Sequence, residues 1–224
     1  MKQGFVKVAS ATPRIRVADP VYNAQVICEQ AKEAAEHGAK IVVFPELCIT
    51  GYTCNDLFLQ ELLLEKAKEA LLTIAEETGQ LETLFLVGLP VDKDGRLYNV
   101  AAVLYRGRIL GMIPKKNIPM YAEFYEGRHF TPGEETVTEY RLGKQVIPFG
   151  SNLLFRCEEL PELILGCELC EDLWSAQPPS VFHAVNGATV IVNLSASDET
   201  VGKAEYRRNL ISVQSARLAA GYVY

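Results

Sequence analysis

The sequence predicts an α/β fold, a sheet with helices on one face and strands continuing antiparallel at its edge. Three observations predict it. Apolar β-branched runs alternate with helical patterns as far as Val91, in the order β-α-β-α-β. A meander of strands follows, punctuated by Asp94-Gly95 and Arg106-Gly107. Further on, the apolar runs Leu163 to Leu165 and Thr189 to Leu194 each precede a helical pattern.

Phe5 to Ala9 alternates and reads as the first strand. Asp19-Pro20 predicts a helix start, with Asp19 as N-cap and proline at the first helical position. Val26, Ile27, Ala31, Ala34 and Ala35 keep helical spacing, and Gly38 ends the helix. Ala39 to Phe44 is continuous and apolar, as in a strand covered on both faces. A loop from Cys48 to Gln60 leads to a helix over Glu61 to Thr78. Strands are expected over Leu84 to Val91, Leu97 to Tyr105 and Ile109 to Ile113. The long aromatic and charged segment Met120 to Gly133 has no clear period; loops of this length are more often functional than short ones. Val137 to Phe155 adds two short strands. Helices over Pro179 to Asn186 and Lys203 to Ala220 flank the Thr189 to Leu194 strand, and Tyr222-Val223-Tyr224 begins another.

With 224 residues, 49% hydrophobic, the chain is long and apolar enough for one domain with a sizeable core. A formal net charge of −6 argues against a nucleic-acid or anionic-membrane surface. No apolar run approaches the roughly 18 to 20 residues of a membrane span. No basic, apolar signal segment opens the chain, so a cytoplasmic location is expected. The six cysteines are expected to be free thiols. Cys167 and Cys170 form a Cys-x-x-Cys, which admits a redox or metal-binding module. A structural zinc site needs further ligands, and His37, His129 and His183 lack the spacing to supply them.

The chemistry concentrates at strand ends, where α/β folds build sites. Cys170 follows one apolar run, Glu46 another, Lys115 a third, and the Asn193 to Ser197 cluster a fourth. Glu168, Glu171 and Asp172 crowd Cys170 and by themselves disfavour a thiolate. A nucleophilic Cys170 therefore requires a base and a cation from elsewhere. If the sheet is continuous, Glu46 and Lys115 supply them, a constellation suited to acyl transfer from an amide or nitrile.

Phe44-Pro45-Glu46-Leu47, Pro114-Lys115 with Ile118-Pro119, and Cys170-Glu171-Asp172 resemble the Glu, Lys and Cys motifs of the nitrilase superfamily. Within it, Gly4 to Asn23, Thr50 to Phe58, Tyr121 to Glu126 and Glu168 to Trp174 resemble the glutaminase domain of bacterial glutamine-dependent NAD synthetases. The resemblance runs over essentially the whole chain. It implies a nitrilase-like four-layer α-β-β-α sandwich. It implies Glu46 as general base, Lys115 rather than Lys116 as oxyanion-stabilising residue, and Cys170 as nucleophile, supported by Glu126. Tyr121, Phe124, Glu171, Ser197 and Lys203 match positions around the glutamine substrate. Lys203 stands where the family carries arginine, which exchanges a bidentate carboxylate clamp for a single ammonium.

The same resemblance implies L-glutamine as substrate and a synthetase domain that receives ammonia, uses ATP and magnesium, and amidates deamido-NAD. Such proteins form homo-oligomers when full length. No Ser-Gly-Gly-x-Asp-Ser phosphate loop is present, so the chain is expected to be the glutaminase domain alone, ending before its last strands and needing no cofactor. A stand-alone amidase or carbamoylase of the superfamily shares Glu46, Lys115 and Cys170 and remains the alternative.

Overall fold

In the computed structural model, residues 4–224 are described. The chain runs through β1 (Val8–Ser10), α1 (Pro20–Glu36), β2 (Ile41–Val43), α2 (Glu61–Glu77), β3 (Leu84–Lys93), β4 (Arg96–Tyr105) and β5 (Arg108–Pro114). It continues through β6 (Thr138–Leu142), β7 (Gln145–Phe149), β8 (Leu154–Arg156), β9 (Ile164–Leu169), α3 (Pro179–Val185), β10 (Val190–Leu194), α4 (Lys203–Leu218) and β11 (Gly221–Val223). No helix among these residues is long and apolar enough to cross a membrane.

The strands form two sheets, as the four-layer sandwich implied by the family resemblance requires, whereas the order of elements alone suggests one. One sheet has the order β1-β2-β3-β4-β5-β7-β6, the other β11-β10-β9-β8. β1, β2 and β3 pair in parallel, and β3, β4 and β5 form the antiparallel meander. β9, β10 and β11 are parallel, with β8 antiparallel at their edge. The segment Val137 to Phe155 therefore holds three strands instead of two, and the third joins the other sheet.

Strand alternation explains the layers. Val42, Phe44, Phe85, Val87, Leu89, Val100, Ala102 and Leu104 bury against α1 and α2, through Ile27, Ala31, Ala67, Leu71 and Ile74. The alternate residues Ile41, Val43, Leu86, Ala101, Val103 and Ile113 meet Leu165, Cys167, Leu169, Val192 and Leu194 from the second sheet. Because both faces of β2 to β4 are buried, their sequences read as unbroken apolar runs. α3 and α4 lie beyond the second sheet, where Ala188, Ile191 and Ala220 are buried. The result is the α-β-β-α sandwich.

Local signals behave as their chemistry dictates. The Asp19 carboxylate accepts from the Tyr22 N–H at 3.1 Å and caps α1. Asp94-Gly95 turns β3 into β4 with both residues at positive φ, 52° and 72°. The Cys48 to Gln60 loop is less irregular than expected, since Tyr52–Leu59 forms 3-10 turns broken at Asn55. In the Met120 to Gly133 segment, Phe130 anchors the chain against Leu47, Phe58 and Leu63.

Gly88 on β3 has a specific reason to be glycine. A Cβ there would lie 2.3 Å from the Leu47 N and 2.7 Å from the Pro45 O. The backbone after β2 thus folds directly onto β3, and the Ile49 N–H donates to the Gly88 O at 3.1 Å. This close approach holds Glu46 in place. Gly88→Ala is expected to destabilise the protein by about 3 kcal/mol. The shift of the urea midpoint checks this, and an unchanged midpoint would show that the turn moves freely.

Candidate active site

Three chain reversals bring the predicted residues to one buried point. Glu46 lies in the turn after β2, where Leu47 takes a positive φ of 51°. Lys115 follows β5, and its N–H donates to the Asn99 O of β4 at 2.8 Å while its own carbonyl accepts from Gly133 at 2.7 Å. Cys170 opens a 3-10 turn directly after β9 with φ 41°. All three are almost wholly buried.

The Lys115 Nζ donates to Glu46 Oε1 at 2.7 Å and to Glu126 Oε1 at 2.6 Å. The Asn99 Nδ2 donates to Glu46 Oε1 at 2.7 Å and reaches Glu126 Oε2 at 3.4 Å. Tyr52 donates to Glu126 at 2.8 Å, and the Ala196 N–H donates to Glu46 Oε2 at 3.1 Å. Two carboxylates therefore share one ammonium and one amide. Burial works against the Lys115 charge, but Glu46, Cys170 and Glu126 outweigh it and hold its pKa above the usual lysine range. Burial and the Glu46 charge raise the Glu126 carboxyl, against the pull of Lys115.

Burial, then the Glu46 charge, pushes the Cys170 thiol up to about 12, against Lys115, the Ser195 hydroxyl and the Ala196 amide. The sulfur is thus a thiol at neutral pH, and a base must take its proton as it attacks. The flanking acids are not what opposes the thiolate. Glu168 turns to the Ser180 N–H at 2.8 Å and to the Tyr222 hydroxyl. Asp172 accepts from the Leu169 N–H at 3.0 Å and from Asn117 N and Nδ2 at 2.7 and 2.9 Å. It ties the Cys170 turn to the chain after Lys115.

A second cluster adjoins the first. Tyr121 donates to Glu171 at 2.8 Å and packs edge-on against Phe124, with ring centroids 5.7 Å apart. The Lys203 Nζ lies 5.4 Å from the Phe124 ring and 5.3 Å from the Trp174 ring, and pairs with Asp198. Ser197 contacts the Asp198 carbonyl at 3.5 Å. Aromatic rings, an acid and an ammonium are thus gathered beside the Glu46–Lys115–Cys170 cluster, with Glu171 held by Tyr121 and Lys203 by Asp198.

The structure thus gathers Glu46, Lys115, Cys170 and Glu126, and beside them Tyr121, Phe124, Glu171, Ser197 and Lys203. The profile of the carbon-nitrogen hydrolase family matches residues 7–224. The chain belongs to this family.

Among similar carbon-nitrogen hydrolases, the chain is 42% identical over 223 residues to the glutamine-dependent NAD(+) synthetase of Mycobacterium tuberculosis, covering 100% of this chain and 33% of the relative. It is 32% identical over 216 residues to that of Thermotoga maritima, 96% of this chain and 34% of the relative. The chain therefore spans about a third of the length of these relatives. The crystal structure of a glutamine-dependent NAD(+) synthetase from Cytophaga hutchinsonii superposes with a TM-score of 0.87 at 29% identity, over 97% of this chain and 35% of that one. An amidase from Nesterenkonia sp. shares the fold, with a TM-score of 0.73 at 20% identity over 97% of this chain and 75% of that one.

Several groups of this carbon-nitrogen hydrolase site were not singled out from sequence. Asn99 interrupts the apolar run of β4, and a polar residue on a doubly buried strand was its signal. Ser195, offered by the sequence only as part of the Asn193 to Ser197 cluster, donates to Cys170 Sγ at 3.3 Å and bonds the Tyr224 hydroxyl at 2.7 Å. Tyr52 and Tyr224 carried no signal that separates them from core aromatics. The two thiols of the Cys-x-x-Cys pair are free and lie in different surroundings. Cys167 faces the core between the sheets, and Cys170 faces the Glu46–Lys115 cluster. Among the described residues no group of three or more His, Cys, Asp or Glu is placed to hold a metal ion.

Proposed function

We propose that this chain hydrolyses the side-chain amide of L-glutamine through a thioester on Cys170. In a longer protein, the ammonia would pass to a synthetase domain that uses ATP and magnesium to convert deamido-NAD to NAD. The observation that carries this reading is the buried Glu46–Lys115–Glu126 cluster set against the buried Cys170 thiol.

The reaction follows from the geometry. Glu46 takes the thiol proton as Cys170 Sγ attacks the amide carbon. Lys115, whose side chain is fully buried beside Glu46, stabilises the oxyanion. The amide nitrogen takes the proton from Glu46 and leaves as ammonia, which completes the γ-glutamyl thioester. Glu46 then takes a proton from water, hydroxide attacks the thioester, and the thiolate regains the proton as glutamate leaves. Glu126 holds Lys115 from its other side and shares the Asn99 amide with Glu46.

Glu171 and Tyr121 are assigned to the substrate ammonium, Lys203 and Ser197 to its carboxylate, and Phe124 to its methylene chain. Lys203 must loosen from Asp198 to do so. In the full-length protein we place the reaction in the cytoplasm of a homo-oligomeric enzyme, with no nucleic-acid or membrane partner. The amidase alternative shares the fold with a solved amidase, but the synthetases match at higher identity.

The test is ammonia release from L-glutamine against acetamide and propionamide, with hydroxylamine added to capture the acyl group. Glutamine is expected to be preferred, with γ-glutamyl hydroxamate as product. Preference for the simple amides would favour the amidase. Hydrolysis without hydroxamate would remove the thioester.

A further inference from the structure

Behind Cys170, away from the substrate cluster, a chain of buried hydrogen bonds crosses three strands of the second sheet. The Cys170 N–H donates to Asn193 Oδ1 at 2.8 Å. The Asn193 Nδ2 donates to the Tyr222 hydroxyl at 3.2 Å. The Tyr222 hydroxyl donates to Glu168 Oε1, and Glu168 Oε2 accepts from the Ser180 N–H at 2.8 Å. Glu168 comes from β9, Asn193 from β10 and Tyr222 from β11. Glu168 and Asn193 are almost fully buried.

We propose that Glu168 and Tyr222, acting through Asn193, are positioning residues that hold the Cys170 backbone in its reactive conformation. The inference rests on Cys170 being the nucleophile of the reaction above.

The polarity of the chain is what makes it specific. A backbone N–H can only donate, so the Asn193 oxygen must face Cys170 and its NH₂ must face away. That orientation needs an acceptor at the far side, which the Tyr222 oxygen provides. Tyr222 has one hydrogen, and while that hydrogen is given to Glu168 the oxygen presents only lone pairs to Asn193. As a carboxylate Glu168 receives at both oxygens and ends the chain, and because burial raises its pKa to about 7 this polarity is complete only above neutral pH. Without Glu168 or the Tyr222 hydroxyl, the Asn193 amide loses the partner that selects its orientation. If it turns over, an NH₂ group meets the Cys170 N–H.

The Cys170 backbone has reason to need this. Its φ of 41° lies in the left-handed region, which L side chains rarely adopt. Such a conformation persists when surrounding groups over-determine it. Here Asn193 holds the N–H, and Asp172 holds the preceding Leu169 N–H at 3.0 Å. Asp172 secures the turn as a whole, whereas the Glu168–Tyr222–Asn193 chain bears on the nucleophile's own peptide.

The test uses the full-length protein with Tyr222→Phe, Glu168→Gln and the double variant. Gln214→Ala is the control. Gln214 bonds the Ser180 hydroxyl at 2.9 Å, at the buried periphery of the same network and off the path to Cys170. Four quantities are measured: the rate of Cys170 alkylation by iodoacetamide, mapped by peptide mass spectrometry, kcat and KM for glutamine, and the melting temperature. Each single variant is expected to slow alkylation and lower kcat about tenfold or more, with KM within about twofold, since small misplacements of a reacting group are costly. The double variant should lose no more than the worse single variant, because both act through Asn193. Alkylation at the parent rate in both single variants would overturn the proposal. So would losses that multiply in the double variant, or equal slowing in Gln214→Ala at a similar drop in melting temperature. If the parent protein leaves glutamine intact while the variants still slow alkylation, the glutamine reading fails and the positioning role stands.

Discussion

Cys170→Ala is expected to abolish glutamine hydrolysis, a loss of about 10⁴-fold or more, as for nucleophiles that act as part of a unit. Cys167→Ser should leave the rate within about twofold of the parent, because that residue touches none of the reacting groups. The two cysteines are only three residues apart, yet their surroundings differ completely. Cys167 is fully buried among Leu165, Leu169 and Val192 between the sheets. Burying a hydroxyl there costs about 1 to 3 kcal/mol and should appear as a lower melting temperature. Cys170 sits against Glu46 and Lys115, whose charges act on its sulfur in opposite directions. Steady-state ammonia release on the two variants checks both statements. Equal loss from both would return the pair to a joint redox or metal-binding role.

Lys115→Met is expected to cost both activity and stability. The side chain is nearly isosteric, so the change isolates the charge. It leaves Glu46 and Glu126 buried with no cation between them, at a cost of about 3 to 5 kcal/mol. It also removes the charge assigned to the oxyanion, which costs about 10² to 10³-fold in kcat. Lys116→Met is the comparison. That lysine pairs with the exposed Glu135 at the surface, and its loss should stay within about 0.5 kcal/mol.

The pH dependence of the Lys115→Met variant has a definite sign. Glu126 already has a raised folded-state pKa with Lys115 present, and removing the ammonium raises it further. A carboxyl with a raised folded pKa binds more protons when folded than when unfolded. Stability then falls as pH rises past the unfolded value near about 4.3. The deficit relative to the parent should therefore shrink as pH is lowered from 8 to 5. Denaturant midpoints at the two pH values test this, and a deficit that grows on acidification would contradict the assigned ion pairs.

Much of the site was legible before the fold was known. Glu46, Lys115 and Cys170 each follow an apolar run, and strand ends are where side chains leave the core for a crevice. The cluster proposed to bind substrate was legible through motif likeness alone, since nothing in the spacing of Tyr121, Ser197 and Lys203 brings them together. Asn99 was visible in principle as the one polar residue in Val100-Ala101-Ala102 company. Ser195 was visible only as a member of the Asn193 to Ser197 cluster, and Tyr222 and Tyr224 were not visible, because a tyrosine near a strand end is equally at home in an ordinary core.

Local chemistry was sufficient for the elements themselves. Asp19-Pro20 starts α1, Asp94-Gly95 turns β3 into β4, and the β-branched run of β2 reads as a strand covered on both faces, each through interactions within a few residues. The number of sheets was not decided at that range. Alternation along a strand says which residues share a face, but not what that face meets. Only tertiary packing sets Leu165, Leu169 and Val192 against Val43, Leu86 and Ala101, and so makes two sheets where the order of elements alone suggests one and only the family resemblance implies two. The sign of the electrostatics at Cys170 was decided the same way. Along the chain its nearest charges are Glu168, Glu171 and Asp172. In space Glu168 and Asp172 are turned away into hydrogen bonds, and the charges that act on the sulfur come from Glu46 and Lys115, because Coulomb energy follows distance through the fold and takes no account of separation along the chain.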